Sequence, residues 1–336
     1  MENISPNKSE SPVRYGDYTP ADKTQWQFMR VYELIIGDGN KAKGFAIADM
    51  QMSFSVKKNA NNAEAQNKAT ITITNLSEET LSILEQDYPI VSLKVGYLKT
   101  GLTLLFSGKV VELDTKLQGT DRVTTIEAIP FHDKVGYTYV SSYVAAGGTL
   151  GNVIEEIRKS IPSLAKGIYR SEKLNYPLPF GKSIAGTAMQ ELQRICDANN
   201  LEYRIDLDTL YVNDIASTSD SSTNTAPLLS YETGLLTGPY ASSGRIKRGK
   251  LDPLRKEGLT CTALLNPDVR AGWAVVVQGT DKDGTYKVEE VEFKGDYRGN
   301  DWTMNLYLVT TDEFAKMRAE DARKKAKKKT KKEEVK

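Results

Sequence analysis

Histidine is nearly absent from this chain. His132 is the single copy in 336 residues. A histidine-rich metal centre or a Ser-His-Asp triad therefore has one candidate only. His132 sits beside Asp133 at the end of an expected strand, where adjacent side chains point to opposite faces. It reads as structural or solvated. Cysteine is scarce too: Cys196 and Cys261 fall in different expected units. That implies buried free thiols and a reducing compartment, not a disulfide framework. No apolar run approaches the roughly 20 residues of a membrane span. The opening MENISPNKSESPVRYGDYTP lacks the apolar core of a signal peptide. Gly147-Gly148-Thr149 lacks the further glycines and the lysine of a P-loop, so it reads as a helix entry and not as an anion site. Carboxylates abound, but no pair stands out for glycoside hydrolysis. Asp206 and Asp208 read as turn residues. These absences assign no catalytic, cofactor-binding or metal-binding residue and imply no cofactor. The chain reads as a non-enzyme.

What is present is an ordinary globular composition, 39% hydrophobic and 26% charged. The length suits two or three domains. Tyrosine dominates the aromatics, with 17 copies against 8 Phe and 3 Trp. It suits half-buried strands and interfaces, because its ring buries while its hydroxyl stays wet. Charge is uneven. From Arg318 to Lys336 ten Lys/Arg face four Asp/Glu, a net of +6, which leaves −5 for residues 1–317. The tail reads as solvated or as contacting an acidic protein. It lacks the interleaved aromatics of a stacking nucleic-acid binder, though phosphate contact is a weaker alternative.

In chain order, residues 1–24 read as a flexible arm. Trp26–Ile36 has apolar residues of one parity and reads as the first strand. Gly37-Asp38-Gly39-Asn40 turns, and Phe45–Val56 returns as a second strand. A polar loop leads to the strand Ala69–Thr74. Ser77 then caps a short helix with Leu81 and Leu84 on its apolar side. Val91–Tyr97 alternates again, Leu102–Leu113 and Val123–Ile129 follow on either side of the turn Gln118-Gly119-Thr120-Asp121, and the strands together suggest an antiparallel barrel or sandwich. After Tyr143 the period changes. Thr149 caps a helix with Leu150, Val153, Ile154, Ile157 and Ile161 on one stripe. A second helix is expected over Ser183–Ala198, ending at Asn199-Asn200. Leu201–Ile205 and Leu210–Val212 then form a hairpin. Ser217–Thr225 is a loop, and Arg245–Lys250 is a basic stretch readable as a loop. Strands follow over Leu259–Leu265, Trp273–Val277, Tyr286–Phe293 and Asp301–Val309. The alternation in Tyr286–Phe293 is imperfect. Helix propensity near Phe314 and Met317 gives way to the lysine run.

Four stretches resemble the baseplate hub proteins of tailed phages. The first is Asn67-Lys68-Ala69, Ile71, Ile73, Asn75-Leu76-Ser77 and Thr80. The second is Thr187–Leu192 followed by Ala198-Asn199-Asn200-Leu201-Glu202-Tyr203. The third is Gly258-Leu259, Leu264-Leu265-Asn266-Pro267, Gly272 and Val275–Val277. The fourth is Gly284, Tyr286, Val288, Val291, Gly295-Asp296 and Trp302. They come in the family's order. The arm before Trp26 and the tail after Met317 have no counterpart in it.

The resemblance implies an α+β, β-rich fold: two tube-like antiparallel β-barrel domains with an inserted small helix-plus-hairpin domain. The expected division is 1–24 arm, 25–143 first barrel, 144–216 insert, 217–312 second barrel and 313–336 basic tail. It further implies a homotrimer whose ring adapts the sixfold tail tube to the threefold central spike. The implied partners are the tube or its initiator, the spike and other baseplate proteins, with no specific nucleic acid and no membrane span. The place implied is the virion tail baseplate, nearest to contractile-tailed phages, after synthesis in the host bacterial cytoplasm. Two alternatives stand beside it: a tail-associated cell-wall or polysaccharide hydrolase, and the hub of a related injection or secretion machine. A module contacting nucleic acid or membrane through the tail is a third class.

Overall fold

Alternation of apolar and polar residues builds most of this chain. The computed structural model describes residues 27–38, 41–61, 67–86, 89–130, 138–162, 164–215, 217–218, 226–248 and 251–310. The arm 1–24, Trp26, His132, most of the loop 217–225 and the basic tail 313–336 lie outside the described residues.

The first β-rich stretch runs β1 (Arg30–Asp38), β2 (Lys41–Ile47), β3 (Met52–Asn59), β4 (Lys68–Thr74), helix α1 (Glu78–Leu84), β5 (Pro89–Tyr97), β6 (Gly101–Gln118) and β7 (Asp121–Ile129). A middle unit follows: β8 (Tyr139–Val144), α2 (Leu150–Ser160), β9 (Ala165–Arg170), β10 (Lys182–Thr187), α3 (Ala188–Asn199), β11 (Leu201–Asp206) and β12 (Thr209–Asp214). The second β-rich stretch comprises β13 (Leu228–Leu229), β14 (Leu235–Arg248), β15 (Leu251–Leu264), β16 (Ala274–Val277), β17 (Gly284–Asp296) and β18 (Trp302–Thr310). The chain is thus α+β and β-rich.

The two β-rich stretches share one sheet. Among the described residues it has 13 strands in the order β14-β15-β18-β17-β3-β4-β7-β6-β5-β1-β2, with β16 also beside β17 and β13 beside β16. Its pairs are antiparallel except β13 with β16. The sheet is open, with edges at β2 and β14, and is not closed into a barrel. Alternation predicts strands, but closure also needs a fixed stagger and tilt, which alternation does not encode.

The seam between the stretches is the β3–β17 pair, with Val56 opposite Phe293 and Phe54 opposite Gly295. One core crosses that seam, from Leu34, Val56 and Ile71 on one side to Val291, Phe293 and Leu308 on the other. Polar bonds cross it as well. The Tyr97 hydroxyl donates to the Leu265 carbonyl at 2.8 Å, and Arg30 donates to the carbonyls of Asp296 and Gly299, each at 2.8 Å. Gly295 is required here, since a Cβ would stand 2.3 Å from the Phe54 ring. The missing side chain leaves room for Phe54 and Trp302 to meet edge to face at 5.5 Å.

The resembling stretch at β4 has equally local causes. Ala69, Ile71 and Ile73 are buried on one face. Asn67 accepts a hydrogen bond from the Asn59 backbone at 2.8 Å. Asn75 takes the left-handed conformation (φ 60°), and its side chain accepts from the Arg122 N–H at 2.9 Å. Ser77 caps α1 through the Thr80 N–H, as expected.

The middle unit has its own core, built from Val153, Ile154 and Ile157 of α2, Leu192 and Ile195 of α3, and Tyr203, Ile205, Leu210 and Val212 of the hairpin. Strands β8 and β10 form a ribbon, and β11-β12-β9 form a small sheet. Thr149 caps α2 in a reciprocal pair with Asn152. Asn200 ends α3 in the left-handed conformation (φ 52°). Leu207 and Asp208, both with positive φ, make the tight β11–β12 turn.

Several expectations need correction. The first strand begins at Arg30, and Phe28 before it is exposed. The strand expected over Phe45–Val56 is two strands, because β2 pairs with β1 while β3 pairs with β4 and β17. The first turn expected of the helix Ser183–Ala198 is strand β10, held by β8. Its Ser183-Ile184-Ala185-Gly186 run alternates over one buried position, Ile184, as a strand does. Thr187 occupies the α3 N-cap position but makes no side-chain cap bond. In the Arg245–Lys250 stretch, residues 245–248 are strand, not loop.

Because one core spans the seam, Phe293→Ala should destabilise both β-rich stretches together. Deleting a fully buried Phe costs about 3–5 kcal/mol. Urea unfolding followed by Trp302 fluorescence and by a probe on β4 should show one coincident transition, shifted equally for both probes.

Candidate functional site

Strand β11 carries a concentrated run of buried charge, with Glu202 and Arg204 buried. Its odd residues, Leu201, Tyr203 and Ile205, enter the core of the middle unit. Glu202, Arg204 and Asp206 therefore point the other way, and their bonding partners belong to the large sheet. Asp206 accepts from Lys58 of β3 at 2.8 Å, with both side chains nearly buried. Glu202 accepts from Lys287 of β17, whose ammonium is 0% exposed. Lys287 also donates to the Ile215 carbonyl at 3.3 Å and lies 3.8 Å from Glu289. Arg204 donates to the Ala271 carbonyl in the β15–β16 connection and stacks on Tyr211 at 4.5 Å.

The location matters more than the count. Lys58 pairs directly with Val291 in the β3–β17 register. The charges of β11 thus sit on the seam and touch both β-rich stretches. A β-bulge makes this possible. The β17–β18 register skips Glu289, stepping from Val288 opposite Leu308 to Glu290 opposite Tyr307. The apolar face consequently shifts from Tyr286 and Val288 to Val291 and Phe293. Lys287 and Glu289 are left on the face that meets the middle unit.

Electrostatics follow the geometry. Burial alone would push Asp206 up, but the Lys58 ammonium and the Arg204 guanidinium outweigh it and hold the carboxyl below its usual value. Burial alone would push Lys287 down, but Glu202 and Glu289 outweigh it and hold the ammonium above its usual value. Burial lowers Arg204. A buried charge network of this kind positions one unit on another more than it stabilises.

The residues weighed from sequence fare differently. Asp206 is not a turn residue only: it is an interface ion. Asp208 stays in the turn and is exposed. Cys196 and Cys261 are buried free thiols, and burial pushes Cys261 up to about 12. His132 lies outside the described residues. Among the described residues, no group of three or more His, Cys, Asp or Glu could hold a metal ion, and no helix is long and apolar enough to cross a membrane. The β11 network was missed because its partners are distant in sequence. The one local signal was the imperfect alternation of Tyr286–Phe293, which marks the bulge.

Known structures place this fold in a class. It is similar to the 43 kDa tail protein of prophage MuSo2 from Shewanella oneidensis (TM-score 0.55, 11% identity, covering 83% of this chain and 97% of that one). It is similar to a tail protein from Neisseria meningitidis MC58 (TM-score 0.53, 12% identity, covering 83% and 96%). An E. coli component of the type VI secretion system, described as structurally similar to bacteriophage T4 tail proteins gp27 and gp5, is also alike (TM-score 0.54, 10% identity, covering 78% and 73%). No curated protein matches the chain in sequence. The class is therefore the fold these tail proteins share.

The model of the family "Baseplate hub gp41" matches residues 34–243. That is more than half of the chain, and the chain belongs to this family. Its role is structural, in a phage tail baseplate.

Two outcomes test the junction. Lys287→Met removes the ammonium that Glu202 bonds in the buried junction and should cost about 3–5 kcal/mol, while adding Glu202→Leu should recover part of it; chemical unfolding measures both. The pH response has a definite sign. Asp206, depressed, contributes fully above its unfolded value of about 3.9, and this contribution is lost as pH falls through its lower folded value. Lys287, raised, contributes fully below about 10.4, and this is lost as pH rises through its higher folded value. The protection factor of the β11 amides, the intrinsic exchange rate divided by the observed one, should thus be greatest across neutral pH and fall at both extremes.

Proposed function

We propose that this chain is a non-enzymatic baseplate hub whose three copies form a ring between the sixfold tail tube and the threefold central spike. The observation that carries this reading is the layout of the sheet. Each chain supplies two β-rich lobes joined at one seam, so three chains would supply six. The divisions are those expected from sequence: lobes over 25–143 and 217–312, the insert over 144–216, the arm 1–24 and the tail 313–336. The free edges at β2 and β14 suit lobes that complete a tube-like wall with their neighbours, since an unpaired edge invites another strand. Exposed Tyr139 and Tyr143 on β8, with Tyr176 and Phe180 on the insert, are the aromatic type enriched at protein interfaces.

In this reading the partners are the tube or its initiator, the spike and other baseplate proteins. The chain is made in the host bacterial cytoplasm and ends in the virion tail. The fold likeness to a type VI secretion component and to the Francisella PdpA-VgrG complex (TM-score 0.52) supports a second reading, the hub of a related injection machine. The family match favours the phage tail.

Light scattering at several concentrations, with and without the cognate spike, tests the ring. The expected mass is three times the 37.3 kDa of the chain, alone or once the spike is added. A monomer under every condition, spike included, contradicts the ring.

A further inference from the structure

Arg204 does more at the junction than hold one carbonyl. The residue is 2% exposed. Its Nη1 is tied to the Ala271 carbonyl, and its plane stacks on Tyr211 at 4.5 Å. Those two contacts fix the position and the tilt of the guanidinium. The remaining donors, Nε and Nη2, have no hydrogen-bond partner among the described residues. They lie on one edge of the planar group and form the fork that binds two oxygens of an oxyanion at once. A buried donor without a partner is costly, and here there are two. The acids beside Arg204 on β11 do not fill the fork, because Asp206 bonds Lys58 and Glu202 bonds Lys287.

Further donors stand next to it. The connection between β15 and β16 turns at Arg270-Ala271-Gly272-Trp273, closed by the Trp273 N–H on the Arg270 carbonyl at 3.2 Å. Gly272 takes the left-handed conformation (φ 80°), as the third residue of a type II turn does. The turn presents Ala271 to Arg204 and brings Arg270 and Trp273 together, with the guanidinium 5.3 Å from the indole ring. Trp273 Nε1 is a second buried donor site without a partner among the described residues. The Arg270 charge acts on both Arg204 and Asp206, which places it in the same neighbourhood. It acts also on Asp268, which is exposed. Arg204 is sealed, whereas Arg270 and Trp273 are half-buried, so the cluster reaches the surface on their side.

We propose that Arg204, Arg270 and Trp273 form a binding site for one small tetrahedral oxyanion, phosphate or sulfate, at the junction between the middle unit and the second β-rich stretch. Arg204 supplies the fork, Trp273 the indole N–H and Arg270 a second positive charge. A carboxylate has two oxygens and the fork uses both, while a tetrahedral ion keeps oxygens for the other donors. Arg204 belongs to β11, and Arg270 and Trp273 belong to the connection that leads into β16. The bound ion therefore ties the two parts together, and a ligand that binds only their docked arrangement stabilises it. The site stands independently of the ring proposed above.

The test is equilibrium dialysis of the full-length chain against radiolabelled inorganic phosphate, with ionic strength held by sodium chloride, paired with hydrogen exchange read by mass spectrometry. One saturable site per chain is expected, with sulfate competing and acetate far weaker. Phosphate should raise protection at β11 and in the β15–β16 connection. Arg204→Lys keeps the charge but loses the fork, and should weaken binding about tenfold or more. Arg270→Gln, at a half-buried position, should weaken it by a smaller factor and leave protection without phosphate unchanged. Phosphate and sulfate also stabilise folded proteins through exclusion from their surface, an effect that the variants retain. Equal protection by phosphate in the unaltered chain and in Arg204→Lys therefore overturns the site. So does the absence of saturable binding, acetate bound as tightly as phosphate, or protection that maps elsewhere. If Arg204→Lys fails to fold, Arg270→Gln decides, and undiminished affinity there overturns the site.

Discussion

The structure depends on one seam, the antiparallel pairing of β3 with β17. It is the strand pairing that joins the first β-rich stretch to the second, and the middle unit bonds to both of its strands. Three kinds of interaction converge there. Backbone hydrogen bonds join the strands. Phe54, Phe293 and Trp302 pack beneath them. Lys58 and Lys287 reach up to Asp206 and Glu202. The apolar packing supplies stabilisation without direction. The ion pairs supply direction, because an unpaired charge at this depth is costly and this seating of β11 gives Glu202, Arg204 and Asp206 each a bonding partner.

This arrangement fixes how three sequence segments sit relative to one another. A structural component of a tail baseplate needs its parts held rigidly relative to one another. One continuous sheet does this better than two separately folded lobes on a linker. The insert adds a second tie across the same line. Among the described residues the sheet still ends in two free edges, at β2 and β14. Rigidity inside the chain and unfinished surfaces at its margins are both what an assembly component requires.

Much of the fold was legible in the sequence, for local reasons. Thr149, Ser77 and Asn200 act where their capping chemistry said they would. The β4 and β5 alternations each bury the expected face. The motif residues Gly295 and Trp302 prove to be a paired solution to one packing problem. The failures share a cause. Strand boundaries within Phe45–Val56, the exchange of a helical turn for β10, and the open sheet all depend on which strand pairs with which, and pairing is set by partners far along the chain. The charges at the seam were illegible for the same reason. Glu202 and Lys287, 85 positions apart, look like ordinary surface residues until the chain between them is folded.

The central claim is that the two β-rich stretches fold as one body through the seam. Native-state hydrogen exchange across the whole chain tests it most directly. The account predicts that β3, β4, β17 and β18 exchange through one common opening, at the highest free energy in the protein, with matching denaturant dependence. Separate openings for β4 and β18, at different free energies, would show two independent lobes and contradict it.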